Sequence, residues 1–374
     1  MLDILSPSIL HPSVGLVLTG ATWLSGFINM LIYLALLSLL ILFHEFGHFV
    51  FAKRAGVTVT DFALGFGPSL VAVRRGDTTY RINALPLGGY CKMLGEDTDG
   101  ASTDPGNFNR KSAGARFGII AAGPIFNIVL AAIIFAFLGA TVGIGSTPTN
   151  VVQSVQPGSN AQRGGLESGD RIVALDGIPV RSGTDMVDYI HSHAGHTLWV
   201  TVVRNGVVRQ LHIADKLTTI AGQTFGALGF EPQLLSERKP VLVAIVDGFG
   251  LVGVTAATQF VGIVEAIRNH DSSVLHGPVG IAHFVMSAAA FGWPFVLQIG
   301  GVISVMLGLV NLLPFPALDG GRLAFLLVEF VRGRPINPER EGLVHLAGFA
   351  VLMVLVAFIT YHDIVQWVHG KGGL

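Results

Sequence analysis

The sequence predicts a polytopic α-helical membrane protein with about four transmembrane helices, a membrane-associated β-hairpin region and one inserted α+β domain. The chain has 374 residues, of which 51% are hydrophobic and only 13% are charged, and its mean hydropathy is +0.62. This composition is too apolar for an ordinary soluble protein. Long uncharged segments alternate with polar, β-rich stretches, so the chain is expected to cross a bilayer several times.

Charge and cysteine content exclude other classes of protein. The net charge of -1, the pI near 6.9 and the absence of a basic run argue against a nucleic-acid partner. The single cysteine, Cys91, excludes an intrachain disulfide and a multi-cysteine metal cage. We therefore expect a lipid bilayer and protein partners, and no nucleic acid.

The first predicted span covers residues 27–52 and is followed by Lys53 and Arg54. Its length suffices, because a helix needs about 20 residues to cross the hydrocarbon core. The 26 residues before it contain no Lys or Arg and therefore lack the positive region of a signal peptide. This segment is expected to remain in the protein as a membrane helix.

Three more spans are predicted, at residues 117–144, 293–313 and 344–360. Residues 53–116 hold nine Lys and Arg and residues 322–340 hold four, so both loops are expected in the cytoplasm and the N-terminus outside. The predicted order is first span, hairpin loop, second span, inserted domain, surface segment, third span, cytoplasmic loop and fourth span. The corresponding residues are 1–56, 57–114, 115–145, 146–232, 233–291, 292–321, 322–343 and 344–374.

The segment 241–267 is apolar but has two interpretations. Residues 248–264 carry no charge, yet Asp247 and Glu265 flank them closely. If this segment crossed the membrane, Asp319 would emerge on the face opposite His48. A helix lying on the membrane surface keeps both residues on one side, and we favour that interpretation.

His44, Glu45 and His48 form an H-E-x-x-H pattern near the end of the first span. Two imidazoles at i and i+4 project from one face of a helix and can hold one Zn²⁺, while the intervening glutamate can accept a proton from water. The alternative is a buried, hydrogen-bonded histidine pair. Ionisable groups at membrane depth are costly and normally functional, which favours metal-assisted hydrolysis.

Asp319 is the candidate for a third metal ligand, since a catalytic zinc site usually has three protein ligands. It follows Pro314 and Pro316, which are expected to end the third span and free the backbone and the carboxylate. The alternative role for Asp319 is capping of the next helix.

With both elements present, the chain resembles the site-2 protease family of intramembrane zinc metalloproteases. The resemblance rests on the H-E-x-x-H pattern, on Ala122-Gly123-Pro124 with Asn127, on an inserted PDZ-like region, and on residues 311–321. It implies that the zinc ligands are His44, His48 and Asp319, that Glu45 is the catalytic base, and that Asn311 helps to hold the substrate.

The same resemblance implies the biological reaction and its location. The protein would cut a peptide bond within or beside the transmembrane segment of a pre-trimmed, single-span regulatory protein, such as an anti-sigma factor, and release a cytoplasmic fragment. It would lie in the bacterial inner membrane, with the active site near the cytoplasmic side and the inserted domain outside.

Residues 57–93 are predicted to form short strands at 57–62, 70–73 and 80–84, separated by glycine-rich turns. A protease cannot cut a peptide bond that is locked in a helix, so an edge strand beside the zinc can hold unwound substrate by β-addition. Gly65, Phe66 and Gly67 are the expected substrate contacts. The alternative is an ordinary cytosolic hairpin.

The inserted domain, residues 151–214, looks like a PDZ domain with a short helix around Ala161, a strand at 172–175, a helix at 183–191 and a strand at 199–204. PDZ folds bind extended peptides or C-termini at a sheet edge. Only one such domain fits between the spans, and residues 223–238 are expected to be a connector. The alternative role is a steric spacer.

The remaining histidines suggest a divalent-metal transporter as the main competing function. His191, His193 and His196 are expected on the surface of the inserted domain, whereas His270, His276 and His283 precede the third span. A transporter needs ligands distributed along a pore, and the concentration of ligands at one depth argues against it. Asp363 is expected to face outside and is a poor third ligand. A PDZ membrane scaffold is the third hypothesis.

Overall fold

The structure is a computed structural model that describes residues 20–96, 104–144, 147–155, 158–193, 195–214, 216–220, 223–269, 277–290, 292–334, 336 and 338–368. Two compact units make up the chain. A helical unit contains the residues up to Leu138 and from Val241 onward, and a sheet unit contains Gly139–Pro240. The predictions for residues 1–19, His270 and His276 lie outside the described residues.

The helices within these ranges are, in chain order, α1 (Gly20–Arg54), α2 (Ala113–Thr141), α3 (Asn160–Arg163), α4 (Gly183–Ser192), α5 (Val241–Asn269), α6 (Pro278–Ala290), α7 (Trp293–Leu312), α8 (Asp319–Arg332) and α9 (Pro338–Val368). The strands are β1 (Val59–Arg75), β2 (Thr78–Met93), β3 (Thr147–Val155), β4 (Arg171–Leu175), β5 (Ile178–Pro179), β6 (Thr197–Arg204), β7 (Val207–Ala214), β8 (Lys216–Ile220), β9 (Gln223–Ala227) and β10 (Phe230–Leu235).

Among the described residues, five helices are long and apolar enough to cross a membrane. They cover Gly26–Arg54, Ala113–Thr141, Val241–Ala266, Trp293–Leu312 and Glu341–Val365. Four of them contain or closely match the predicted spans, and the additional one is α5. The prediction of a multi-span helical membrane protein is confirmed.

Helices α1, α2 and α7 pack through small residues at close range. Gly300 lies against Leu36, and Gly301 lies against the ring of Phe135. Further along α7, Gly308 lies against the Pro124 carbonyl. The numbers rise along α7 as they fall along α2, so these two helices are antiparallel. Small residues at such contacts let helix backbones approach closely, as is usual in membranes.

Strands β1 and β2 form one long, folded hairpin instead of the three short strands that the sequence predicts. Residues 59–64 pair with residues 89–93 on one side and with residues 79–82 on the other, and residues 71–75 pair with 78–82 beyond them. Gly65 and Gly67 have positive φ angles of 80° and 83°. The glycines therefore bend the strand without ending it, which local sequence patterns do not distinguish.

The sheet unit is built on a sheet with strand order β10-β3-β4-β6-β7, and β5 pairs with β4. Its core includes fully buried Ile172, Leu175, Met186, Val200 and Ile213. The helices and strands predicted for residues 160–204 are found with small shifts of their ends. The predicted connector, 223–238, is wrong in detail, because it contains β9 and β10. Pro232 lies within β10, and proline is tolerated on an edge strand such as this one.

One further segment differs from expectation. The predicted cytoplasmic loop 322–343 is largely helical, because α8 continues to Arg332 and ends at Gly333 with a φ of 66°. Asp363 near the end of α9 accepts the backbone N–H groups of Gly277 and Gly280, at 3.0 and 2.9 Å. It therefore caps the start of α6, which explains a carboxylate at this position.

Candidate active site

The H-E-x-x-H pattern lies on the last third of α1, a helix of 35 residues that ends in Lys53 and Arg54. His44 and His48 are both buried, and their Nε2 atoms lie 3.2 Å apart. The i, i+4 spacing thus places both imidazoles on the same face with their Nε2 atoms converging, as the sequence predicts.

The ring of His48 is held by a carbonyl of α2. Its Nδ1 lies 2.9 Å from the Ile119 carbonyl oxygen, which accepts only a donated N–H. A neutral ring that donates from Nδ1 keeps a lone pair on Nε2. Pro124, four residues after Ile120, has no N–H and leaves a break in the hydrogen bonding of α2 beside this contact.

Asn127 holds the ring of His44 from the same helix. Its side-chain amide lies 3.3 Å from His44 Nδ1, and the backbone carbonyl oxygen of Asn127 accepts a hydrogen bond from the hydroxyl of Ser304 on α7 at 2.8 Å. Asn127 and Ser304 are fully buried. When the amide Oδ1 faces the ring, it accepts the Nδ1–H of His44, which directs the Nε2 lone pair toward His48.

Glycine is required where α2 passes the two imidazoles. A Cβ added at Gly123 would lie 2.6 Å from His48 Cε1 and 2.9 Å from His44 Cε1. On the other side, a Cβ at Gly47 would lie 2.5 Å from the Ala122 carbonyl oxygen. These two glycines bring α1 and α2 together at the level of the histidines.

Asp319, the first residue of α8, completes the cluster. Its Oδ2 lies 3.0 Å from His44 Nε2 and 3.3 Å from His48 Nε2. A carboxylate oxygen is a suitable metal ligand.

The three atoms fit a zinc ion by their separations. Ligands about 2.0–2.1 Å from a tetrahedral zinc are roughly 3.3 Å from one another. The observed separations are 3.0, 3.2 and 3.3 Å. Asp319 Oδ2 is buried, and no hydrogen bond of normal geometry satisfies it within the described part of the chain. One nitrogen from each histidine and one carboxylate oxygen thus face a common point.

Glu45 lies between this cluster and the hairpin. Its carboxyl interacts electrostatically with His44, His48 and Asp319. Its Cγ is 3.5 Å from where a Cβ on Gly89 would stand. Ser38 on α1 fixes this part of β2 by donating its hydroxyl to the Pro86 carbonyl at 2.6 Å.

The other predicted site residues are less directly placed. Asn311 lies in the last turn of α7 and donates its side-chain N–H to the Leu307 carbonyl at 2.9 Å. Phe66 is 48% exposed, stacks on Tyr90 with ring centroids 6.0 Å apart and contacts Gly88. Gly65 and Gly67 flank it at the bend of β1. Their role in substrate binding stays a prediction.

The sequence does not predict two other features of the site. One is the approach of Gly89 to Glu45, and the other is a contact from His345 on α9 to the turn before Asp319. Asn127, in contrast, is one of the residues on which the family resemblance rests, but the sequence analysis assigned it no role. The Gly88-Gly89 pair was visible in the sequence only as a turn pattern.

A sequence match to a known protein family covers the residues of this site. The sequence profile described as Peptidase family M50 matches residues 32–355, which include all three clustered residues and Glu45. The chain belongs to peptidase family M50. This confirms the resemblance to site-2 proteases that the motifs indicated.

Curated relatives of this M50 chain match nearly end to end. "Zinc metalloprotease RasP" of Geobacillus kaustophilus (strain HTA426) is 29% identical over 415 residues, covering 90% of this chain and 97% of the relative. "Regulator of sigma-W protease RasP" of Bacillus subtilis (strain 168) is 29% identical over 427 residues, covering 90% and 99%. The chain is thus an intramembrane zinc metalloprotease and a multi-pass bacterial membrane protein.

One solved structure matches a part of the chain. The PDZ domain of an SdrC-like protein from Listeria monocytogenes is 25% identical, covers 25% of this chain and 92% of its own length, and has a TM-score of 0.21.

Proposed function

We propose that His44, His48 and Asp319 hold the zinc of this protease and that Glu45 is its general base. The convergence of two Nε2 atoms and one carboxylate oxygen, all within 3.3 Å of one another, carries the proposal. A bound zinc supplies a Lewis acid that polarises a peptide carbonyl and lowers the pKa of water. Glu45 takes a proton from the attacking water and delivers it to the leaving amine nitrogen.

The substrate is proposed to be a single-span membrane protein that is bound as an added strand. Residues 89–93 form one outer segment of the folded hairpin, and the described residues place no strand on its other side. Gly89 at its start is adjacent to Glu45. An extended segment paired there would bring its peptide bonds beside the base, and Phe66 and Asn311 are candidate contacts.

The hairpin has the surface of an element that dips into the membrane. From Phe66 to Arg75 every residue is exposed, including Leu70 at 69% and Val71 at 53%. Exposed apolar side chains on a two-sided ribbon are unfavourable in water and favourable in lipid. This supports the membrane-associated hairpin over an ordinary cytosolic one.

A regulatory protein, such as an anti-sigma factor, is the proposed substrate class. The Bacillus subtilis relative is named a regulator of sigma-W protease. Cleavage would follow removal of the outer portion of the substrate and would release a cytoplasmic fragment. The sheet unit is proposed to be the outer, PDZ-like gate. Strand β10 ends the sheet, so Phe230–Leu235 offer an edge for an extended peptide or a C-terminus.

Four spans are proposed, with α5 lying across the bundle. Gly248 packs on Ala136 of α2, and the Gln259 side chain donates to the Val302 carbonyl of α7 at 2.9 Å. Ala136 and Val302 lie at the same level of the bundle, because their chain neighbours Phe135 and Gly301 contact each other. The eleven residues from Gly248 to Gln259, however, advance about 16 Å along α5. A strongly inclined α5 accounts for both contacts, and the basic loops then face the cytoplasm.

The central test is Glu45→Gln in the purified, full-length protein. We expect zinc content and folding to match the wild type while cleavage of a pre-trimmed single-span substrate falls about 10²- to 10⁴-fold. Glu265→Gln on α5 is the matched control and should cleave normally. Wild-type cleavage rates in Glu45→Gln would refute the assignment of the base. Zinc flux without proteolysis in either protein would support the transporter instead.

A further inference from the structure

The turn that carries Asp319 has a backbone that needs support. Ala317 has a φ of +81°, a region that residues with a Cβ rarely occupy. Phe315 donates its N–H to the Leu313 carbonyl at 2.7 Å, and Leu318 donates to Phe315 at 3.1 Å. Asp319 follows two residues after Ala317, so the conformation of Ala317 sets the position from which the carboxylate extends.

Helix α8 packs against one side of this turn. Gly320 lies so close to the Leu313 carbonyl, and Gly321 to the Phe315 carbonyl, that a Cβ at either position would overlap these atoms. These contacts are local, because they join residues of the turn to the first turn of the next helix. They leave the N–H of Ala317 without a partner in α8.

Helix α9 supplies that partner from a distant part of the chain. His345 Nδ1 accepts the Ala317 N–H at 2.9 Å, across 28 positions of sequence. One turn later, a Cβ at Gly348 would lie 2.6 Å from the Pro316 carbonyl oxygen, so α9 rests directly on the turn. The imidazole is thus aimed at the one residue of the turn with a positive φ.

The ring of His345 is itself held in place. It packs against Phe325 of α8 with ring centroids 5.4 Å apart. A neutral ring that accepts at Nδ1 carries its proton on Nε2. That nitrogen is buried 3.8 Å from Glu341 Oε1, beyond hydrogen-bond distance, and it has no hydrogen-bond partner among the described residues. Its side chain is only 17% exposed. A histidine that only filled space would not need the directed hydrogen bond to Ala317.

We propose that His345 is a positioning residue for the zinc site. By accepting the Ala317 N–H it holds the turn in the conformation that delivers the Asp319 carboxylate to His44 and His48. It acts through the backbone and touches neither substrate nor metal. The inference rests on the proposed metal ligands, and it adds α9 to the elements that shape the site.

The test compares two variants of nearly equal shape in the full-length protein. His345→Asn keeps an acceptor oxygen where Nδ1 stands, whereas His345→Leu places a methyl group there. Zinc release to a chromophoric chelator is measured for both, together with thermal unfolding of the metal-free proteins. Val354→Ala, at an exposed position of the same helix, is the control.

We expect His345→Leu to lose zinc affinity about 10- to 100-fold, as is typical when support of a ligand is removed. His345→Asn should stay within a few-fold of the wild type, and metal-free unfolding of the two variants should be alike. Equal zinc release from both variants, or wild-type release from His345→Leu, would overturn the proposal. A wild-type protein that binds no zinc would instead refute the proposed metal site.

Discussion

At the scale of single residues, Gly123 makes a sharp prediction. A Cβ at this position meets atoms of both imidazoles, and neither ring can retreat without breaking its hydrogen bond to Ile119 or Asn127. We expect Gly123→Ala to weaken zinc binding about 10- to 100-fold and to reduce cleavage accordingly. Zinc titration against a competing chelator measures the effect.

Gly118→Ala is the matched control on the same helix. A Cβ at Gly118 would meet only Phe51, at an ordinary 3.8 Å. Its zinc affinity should equal that of the wild type, and its higher helix propensity should leave folding intact. If Gly123→Ala bound zinc as tightly as Gly118→Ala, the close approach of α2 to the histidines would not matter for the metal.

The sequence predicts the residues of the site better than their supports. His44, Glu45 and His48 follow from helical spacing alone, because neighbours at i and i+4 share a face. Asp319 was a candidate because a zinc site usually has three protein ligands and two prolines precede this residue, and the family resemblance then assigned it, since no local rule joins two helices so distant in the sequence. His345 could not be predicted, because its role depends on the φ of Ala317 and on where α9 packs.

At the scale of elements, long uncharged segments predict the positions of α1, α2, α5, α7 and α9, and turn residues predict the central strands in the sheet unit, whereas α6 and α8 were not predicted. The extent of the hairpin strands and the existence of β10 were not predicted. Glycine and proline normally mark breaks, yet Gly65 and Gly67 lie within β1, and Pro232 lies within an edge strand. Whether such a residue ends a strand or bends it depends on pairing partners that are distant in the sequence.

The stability of the sheet unit is expected to depend on pH through Asp170. Asp170 is fully buried and bonds Arg204, with Nε–Oδ1 and Nη2–Oδ2 distances of 2.7 Å. Burial raises the pKa of Asp170, but the hydrogen bonds from Arg204 and the Glu167 backbone N–H, together with the charges of Arg204 and Arg209, outweigh burial, so the folded pKa is below the ordinary value. The resulting stabilisation is present above the unfolded pKa of about 3.9 and is lost as the pH falls through the folded pKa.

We expect Asp170→Asn to destabilise the unit by about 1.5–3 kcal/mol at neutral pH and to flatten its stability between pH 5 and the folded pKa. Hydrogen exchange of residues 171–175 and 197–204 in the full-length protein measures this. Asp188→Asn on the exposed face of α4 is the control and should exchange as the wild type does. Unchanged exchange in Asp170→Asn would show that the ion pair does not stabilise the sheet.

At the scale of the whole molecule, the direction of the helices determines the membrane topology. Leu36 lies beside Gly300, while His44 and His48 lie beside Asp319 beyond the end of α7. Helices α1 and α7 therefore run in the same direction, and α2 is antiparallel to α7. If α1, α2 and α7 all cross the bilayer, the chain between α2 and α7 must begin and end on one face. A single crossing by α5 would violate this condition.

Cysteine labelling in a Cys91→Ser background tests this topology. Four spans place Arg110 and Arg334 on one face and Val207, the exposed first residue of β7, on the other. We expect a membrane-impermeant thiol reagent added to intact cells to label Val207→Cys, and to label Arg110→Cys and Arg334→Cys only after lysis. Five spans would move Arg334 to the outer face, so labelling of Arg334→Cys in intact cells would show that α5 crosses. An additional crossing by α5 would also make α7 run opposite to α1, contrary to the packing of Leu36 on Gly300 and of His44 and His48 beside Asp319.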